Sequence, residues 1–137
     1  MAGKLAVLAS SPADYERLGL SPGSIAPRED GARTDDSAGT YERWYFDAHL
    51  ADGAKLVVTF MNKDVAQPQR PLSPLLRLDL DLPDGRHFEK KIVHYPPAPW
   101  SAARDHAGVR LGENRGTGDL RRYRIQATAE RSRSTSA

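Results

Sequence analysis

The stretch YERWYFDAHLADGAKLVVTFMN, residues Tyr41–Asn62, decides the fold class. Apolar and polar side chains alternate in it with a period of two, both before and after Asp52-Gly53. This period is typical of a half-buried β-strand. An Asp-Gly pair suits a tight turn, because glycine adopts a positive φ at little cost. The stretch therefore predicts a β-hairpin.

The two faces of the first strand differ in chemistry. One face carries Glu42, Trp44, Phe46, Ala48 and Leu50, and the other carries Tyr41, Arg43, Tyr45, Asp47 and His49. Both faces contain aromatic rings, so two interpretations stay open. The apolar alternation Leu56, Val58, Phe60 on the partner strand favours burial of the Trp44 face. A single β-bulge exchanges the faces and turns Tyr45, Asp47 and His49 inward as the reactive set.

Alternating segments continue along the chain. LLRLDLDLP is followed by a second hairpin turn at Asp84-Gly85 and by RHFEKKIVHY, and VRLGEN and DLRRYRIQATAE come later. The connections are too short for crossover helices, so the six predicted strands form an antiparallel sheet of three up-down pairs. The proline-rich PPAPWSAARDHAG is predicted to lie outside the sheet because proline lacks a backbone donor, and RGTG is predicted to be a turn.

The sequence predicts three regions. Residues 1–40 form an irregular N-terminal arm with a short helix, for which Ser11 is the N-cap, Pro12 the first helical residue and Gly19 the end. Residues 41–130 form the β domain. Residues 131–137, RSRSTSA, are of low complexity and form a disordered tail.

Six strands with one apolar face each either curl into an up-and-down barrel or fold over as a sandwich. A barrel that holds one small ligand needs about eight strands. A meander short of that number leaves edge strands exposed, and exposed edges pair with other chains. The sequence thus predicts a second barrel domain or a homo-oligomer formed through edge strands.

Composition narrows the function classes. The 137 residues suit one domain, and the 39% hydrophobic content lies below the roughly 45–50% of an average globular protein. With 20 basic and 18 acidic residues, no acidic partner is indicated. The arginines near the end are interpreted as a solvated strand face, so no nucleic-acid binding is predicted. The absence of cysteine excludes disulfides, thiolate metal sites and cysteine nucleophiles.

Targeting and cofactor motifs are weak or missing. The apolar run LAVLA is shorter than the roughly 7–15 residues of a secretory signal, so a cytoplasmic protein is predicted. No stretch approaches the roughly 18 apolar residues of a membrane span. The four histidines lack metal-ligand spacing, and no phosphate-binding glycine motif precedes a helix, so neither a metal nor a cofactor is predicted.

The first hairpin also matches a family motif. Glu42, Trp44, Tyr45, Phe46, Asp47, Leu50, Asp52 and Gly53 fit the run E-W-W-Y-F-D-x-x-L-x-D-G. With LDLDLPDGRHF and GVRLGENRGTGDLRRYRIQA, residues 25–130 resemble the N-terminal barrel of the carotenoid 1,2-hydratase (hydroxyneurosporene synthase, AttH-like) family. Arg43 departs from the motif, since it stands where the first tryptophan of the pair belongs.

The resemblance implies a lipocalin-like (calycin) β-barrel. Members of that family typically carry two such barrels in tandem, and the group hydrates or cyclises isoprenoid and polyketide substrates. Tocopherol-cyclase-like and Diels–Alderase-like proteins belong to it. This chain matches only the first barrel, whereas the proposed acid of the hydratases belongs to the second. The resemblance therefore implies fold and ligand class more directly than catalysis.

The candidate site follows from the face assignment. The predicted lining of the interior is Trp44, Phe46, Leu56, Val58, Phe60, Leu78, Ile92 and Tyr123. Glu42 shares this face, and desolvation beside aromatic rings disfavours a charged carboxyl, which suits a proton donor. The alternative is that Glu42 sits at the rim and pairs with an arginine or caps backbone N–H groups. Trp44 and Phe46 either stabilise a carbocation or simply form core.

Three functions remain open from the sequence. The first is a lipocalin-like domain that binds a hydrophobic isoprenoid- or polyketide-type small molecule. The second is a hydratase or cyclase with Glu42 as acid, completed by a second barrel. The third is an inactive fragment of such an enzyme. Trp100, within PPAPW, either caps the barrel mouth or anchors its loop.

Overall fold

A computed structural model describes residues 8–93 and 99–128. The described chain contains helix α1 (Pro12–Leu18), a 3₁₀ helix (Pro27–Asp30) and eight strands: β1 (Arg43–His49), β2 (Lys55–Met61), β3 (Leu75–Asp81), β4 (His87–Val93), β5 (Trp100–Ala102), β6 (Ala107–Leu111), β7 (Asn114–Gly118) and β8 (Tyr123–Gln126). The predicted tail, residues 131–137, lies outside the described residues. None of the described helices is long and apolar enough to cross a membrane.

The strands form two antiparallel sheets of four strands each. The first sheet has the order β1-β2-β3-β4 and the second has the order β5-β6-β7-β8, so each is a simple meander. The predicted all-β, antiparallel class is confirmed. Both predicted hairpin turns are present, and Gly53 and Gly85 have φ values of 88° and 89°, which favour glycine.

The second half of the chain differs from the prediction of six strands. β5 lies within the segment predicted to stay outside the sheet, because Pro99 precedes the strand and leaves its donors intact. β7 occupies the predicted RGTG turn and pairs with both β6 and β8. Gly116 and Gly118 have no side chains, so the period of two that reveals a strand was absent from this sequence.

An apolar core lies between the two described sheets. Trp44, Val58, Phe60 and Leu76 of the first sheet and Val109 and Leu111 of the second form one buried cluster. Because both sheets contribute to it, they pack through their apolar faces. Burial of Trp44 and the exposure of Tyr45 establish that the Trp44 face points inward, as the partner strand favoured. Ala48 and Leu50 on the same face are exposed near the hairpin turn.

Helix α1 begins and ends at the predicted residues. The Ser11 hydroxyl accepts a hydrogen bond from the Asp14 backbone N–H, and the Asp14 carboxylate accepts one from the Ser11 backbone N–H. This reciprocal pair is a capping box that satisfies free donors at the helix start. Gly19 follows the helix in the left-handed conformation, with a φ of 65°.

The rest of the arm is hydrogen-bonded to both sheets. The Ala32 N–H donates to the carbonyl of Ala103 beside the second sheet, at 2.7 Å. The buried ammonium of Lys63, after β2, donates to the carbonyl of Ser37 at 2.7 Å. The side-chain amide of Asn62 donates to Asp36 at 2.7 Å. The arm from Asp30 to Gly39 is thus docked against the β domain.

The Phe46 ring of the opposite sheet packs against β7 at Gly116, where there is no side chain. A Cβ at this position would lie 2.8 Å from Cε2 of Phe46, closer than van der Waals contact allows. We expect Gly116→Ala to lower the free energy of unfolding by about 1–3 kcal/mol, because overpacking forces the ring to move. Chemical denaturation measures this, and Thr117→Val on the exposed side of β7 is the control. Equal stability of the two variants would contradict the packing.

Candidate ligand cavity

A cavity of about 520 Å³ lies between the edge strands of the two sheets, β1 and β8. Its apolar and aromatic lining includes Trp44, Phe46, Ala107, Tyr123 and Ile125, and the exposed Tyr45 from the other face of β1 also lines it. Its polar lining includes Glu29, Asp30, Arg33, Glu42, Arg43 and Asp47. We call it the ligand cavity. It combines an aromatic interior with a charged rim.

The aromatic rings of the ligand cavity contact one another and the aromatic rings next to the cavity. The Phe46 ring meets Phe60 of the core edge-on, with centroids 6.4 Å apart and planes at 85°. On its other side it lies 6.1 Å from the ring of Tyr123 on β8. The Trp44 ring lies 5.8 Å from Trp100 of β5. Such edge and tilted contacts favour one orientation of each ring, so the apolar wall is preformed.

Asp30, at the end of the 3₁₀ helix, ties the arm to two of these rings. The Tyr123 hydroxyl donates to its carboxylate at 2.6 Å, and Nε1 of Trp44 donates to its backbone carbonyl at 3.0 Å. The hydrogen bond to the Asp30 carboxylate, together with partial desolvation, raises the pKa of Tyr123 above its ordinary value. Tyr123 is therefore a hydroxyl donor at neutral pH.

Glu42 holds the arm through its carboxylate. One oxygen accepts from the Arg33 N–H at 2.5 Å, and the other accepts from the N–H and hydroxyl of Thr34 at 3.2 and 2.9 Å. The backbone N–H of Glu42 donates to Asn62 at 2.6 Å. These contacts correspond to the capping alternative. A role as catalytic acid stays a prediction, and it would require the carboxyl to leave three donors.

The predicted site residues divide into three groups. Glu42, Trp44, Phe46 and Tyr123 line the ligand cavity. Val58 and Phe60 are buried in the core behind it. Leu56, Leu78 and Ile92 are partly buried, pack against the core, and do not line the cavity. The two sheets thus bring together the aromatic members of the predicted set.

Sequence reasoning missed several cavity residues. Ile125 had a usable signal, since it lies two residues after Tyr123 and shares its strand face. Ala107 lies on β6, within the segment that was interpreted as a loop. Asp30 and Arg33 belong to the arm, which has no periodicity that places their side chains.

A second group of polar side chains lies on the outer face of the first sheet. His87 Nδ1 lies 2.7 Å from Asp81 Oδ1, while Nε2 lies 3.7 Å from Asp79 Oδ1 and 3.9 Å from Glu89 Oε2. The hydrogen bond to Asp81 raises the pKa of His87 above its ordinary value, with the negative charges of Asp79 and Glu89 adding to the effect. We call Asp79, Asp81, His87 and Glu89 the outer cluster. Asp79, His87 and Glu89 each offer a metal-ligand atom there, and these three atoms lie within 4.8 Å of one another.

Comparison with family models, with curated proteins and with solved structures gave no match. The resemblance of the β1–β2 hairpin to the hydratase motif accordingly stays a prediction.

The hydrogen bonds of the Glu42 carboxylate lead to a prediction about the stability of the fold. We expect Glu42→Ala to lower the free energy of unfolding by about 1–3 kcal/mol, because the donors of Arg33 and Thr34 lose a charged acceptor. Thermal and urea unfolding measure the change. Glu113→Ala, at the exposed turn between β6 and β7, is the matched control. Unchanged stability of Glu42→Ala would show that the carboxylate does not hold the arm.

The contacts of His87 lead to a prediction about how the stability of the fold depends on pH. The charged groups around it on the outer face are Asp79, Asp81, Glu89, Arg77 and Lys55. Because its pKa is raised in the folded state, protonated His87 stabilises the fold below the unfolded pKa, and this contribution is lost as pH rises through the folded pKa. NMR titration of the imidazole should show a pKa above the ordinary value, and Asp81→Asn should lower it. A His87 titration that is the same in the wild type and in Asp81→Asn would contradict the pairing.

Proposed function

We propose that this domain binds a hydrophobic small molecule of the isoprenoid or polyketide type in the ligand cavity. The observation that carries the proposal is the meeting of Trp44 and Phe46 from one sheet with Tyr123 and Ile125 from the other around one cavity. Its volume of about 520 Å³ falls within the roughly 300–1,000 Å³ typical of small-molecule sites.

The polar groups of the cavity are suited to orienting such a ligand. The Tyr123 hydroxyl and the Asp30 carboxylate lie beside the apolar wall, where they can hydrogen-bond a hydroxyl or carbonyl of the ligand. Glu29, Arg33 and Arg43 belong to the charged rim. A molecule with an apolar body and one polar end matches this distribution, because its body displaces water from the rings while its end stays hydrated.

The topology also supports a lipocalin-like domain. The described residues contain eight antiparallel strands in two four-stranded meanders, and eight is the number of strands in small barrels that hold one ligand. Here the strands form two sheets, and the ligand cavity lies at the junction of β1 and β8, the first and last strands. In this proposal the ligand occupies the space between β1 of the first sheet and β8 of the second.

A fluorescence titration tests the proposal. All-trans-retinol, an apolar isoprenoid with one hydroxyl, is added to the purified chain while Trp44 and Trp100 emission is followed. We expect saturable quenching, because Trp44 lines the ligand cavity. Phe46→Ala should weaken binding by about tenfold or more, since an aromatic contact contributes on the order of 1.5–3 kcal/mol.

The matched control is Phe88→Ala. Phe88 is 52% exposed on β4 and lies away from the ligand cavity, so its removal should leave the affinity unchanged. Tyr123→Phe keeps the ring and removes the hydroxyl, which separates apolar packing from hydrogen bonding. Melting curves confirm that each variant is folded. Absence of saturable quenching, or equal losses in Phe46→Ala and Phe88→Ala, would refute the proposal.

A further inference from the structure

We propose that Asp79, His87 and Glu89 of the outer cluster bind a divalent transition-metal ion of the Zn²⁺ class. The site would lie on the face of the first sheet that points away from the core, and it is independent of the ligand cavity. The β3–β4 hairpin builds it directly: Asp79 is paired with Glu89, and Asp81 is paired with His87. Paired residues on alternate positions share one face, so all four side chains project together.

The distances between the ligand atoms suit a tetrahedral ion. Ligand atoms bound about 2.0–2.2 Å from Zn²⁺ lie roughly 3.3–3.6 Å from one another. His87 Nε2 lies 3.7 Å from Asp79 Oδ1 and 3.9 Å from Glu89 Oε2. Side-chain shifts of a few tenths of an ångström would bring Nε2 to the required distance from both oxygens, and all three ligand atoms already lie within 4.8 Å of one another.

Asp81 orients the imidazole for this role. A carboxylate accepts hydrogen bonds, so its 2.7 Å contact with Nδ1 assigns the proton of neutral His87 to Nδ1. The lone pair of Nε2 then points toward Asp79 and Glu89. A carboxylate behind a ligating histidine fixes its tautomer and increases its basicity, an arrangement common in zinc sites.

Arg77 restrains the two carboxylates. Its Nε lies 2.9 Å from Asp79 Oδ2, and its Nη2 lies 3.3 Å from Glu89 Oε2. Nη2 also donates to Asp79 Oδ1 at 3.1 Å, so the guanidinium contacts both oxygens of Asp79. The metal would share Oδ1 and Glu89 Oε2 with Nη2, using the second lone pair of each oxygen. With a neutral imidazole, the three carboxylates outnumber the two positive groups, Arg77 and Lys55, so the surroundings of the site stay negative and favour a cation. Imidazole combined with carboxylates suits Zn²⁺, Co²⁺ and Ni²⁺ better than Ca²⁺.

The partial exposure of the site leaves room for water. The side chains of His87 and Glu89 are each 47% exposed and that of Asp79 is 17% exposed. Three protein ligands with one solvent-facing position resemble the open type of zinc site, in which water completes the tetrahedron. The ion would reach this face from solvent without any rearrangement of the core.

Titration of the untagged full chain with Zn²⁺, in competition with a chromophoric chelator, tests the site. We expect one saturable equivalent, with affinity reduced more than tenfold in His87→Ala and in Asp79→Asn. His49→Ala is the matched control, because His49 lies on the same outer face at the far edge of the sheet. Wild-type binding by the His87 variant, or only weak binding that His49→Ala alters equally, would overturn the assignment.

A stability measurement distinguishes a built site from loose surface association. Zn²⁺ should raise the melting temperature of the wild type by mass action and leave that of His87→Ala unchanged. Asp81→Asn tests the positioning role, and it should lower the affinity about 10–100-fold while all three ligands stay present. Circular dichroism without metal confirms that each variant is folded. Equal zinc-induced shifts in the wild type and in His87→Ala would also refute the proposal.

Discussion

The structure depends on the burial of one thin apolar layer between two small sheets. Phe60, near the end of β2, is fully buried and packs edge-on against the Phe46 ring. The opposite sheet can approach because β7 presents Gly116 at this point, without a side chain. Only 39% of the residues are hydrophobic, so the chain has few large apolar side chains with which to fill a core. Close approach of the two sheets at a glycine keeps this small core tightly packed. The position of the Phe46 ring follows from this constraint.

The ligand cavity is a consequence of how the two sheets end. β1 and β8 are edge strands of different sheets, so the aromatic residues that they carry are not covered by a neighbouring strand. The arm covers part of this gap, because Asp30 bonds both Trp44 and Tyr123. An open edge usually invites pairing with another chain. Here the arm occupies part of that edge, and the remaining space is a concave aromatic surface.

The sequence was most informative where apolar and polar residues alternate along a strand and where an Asp-Gly pair marks a turn. Asp52-Gly53 and Asp84-Gly85 located the two tight turns of the first sheet, β1–β2 and β3–β4, whereas β7 was missed because Gly116 and Gly118 interrupt its pattern. The cavity wall on β1 was predictable for the same reason, but the arm was not, since its contacts depend on tertiary docking. Histidine spacing gave no hint of the outer cluster. The relevant signal was that DLD (residues 79–81) and HFE (residues 87–89) flank the same Asp84-Gly85 turn, which places their polar residues opposite one another.

The alternation that builds the core also builds the outer cluster. On β3, Leu76 is part of the core, Leu78 packs against it and Leu80 shares their face, so the residues between them face away from the core. Asp79 and Asp81 are therefore held outward by the burial of their neighbours, not by their own contacts. The two proposed sites lie at different parts of the first sheet, the ligand cavity at the edge strand β1 and the outer cluster on β3 and β4. Ligand binding in the cavity and metal binding on the outer face would thus respond to different substitutions, although the same hydrogen-bonded sheet positions both.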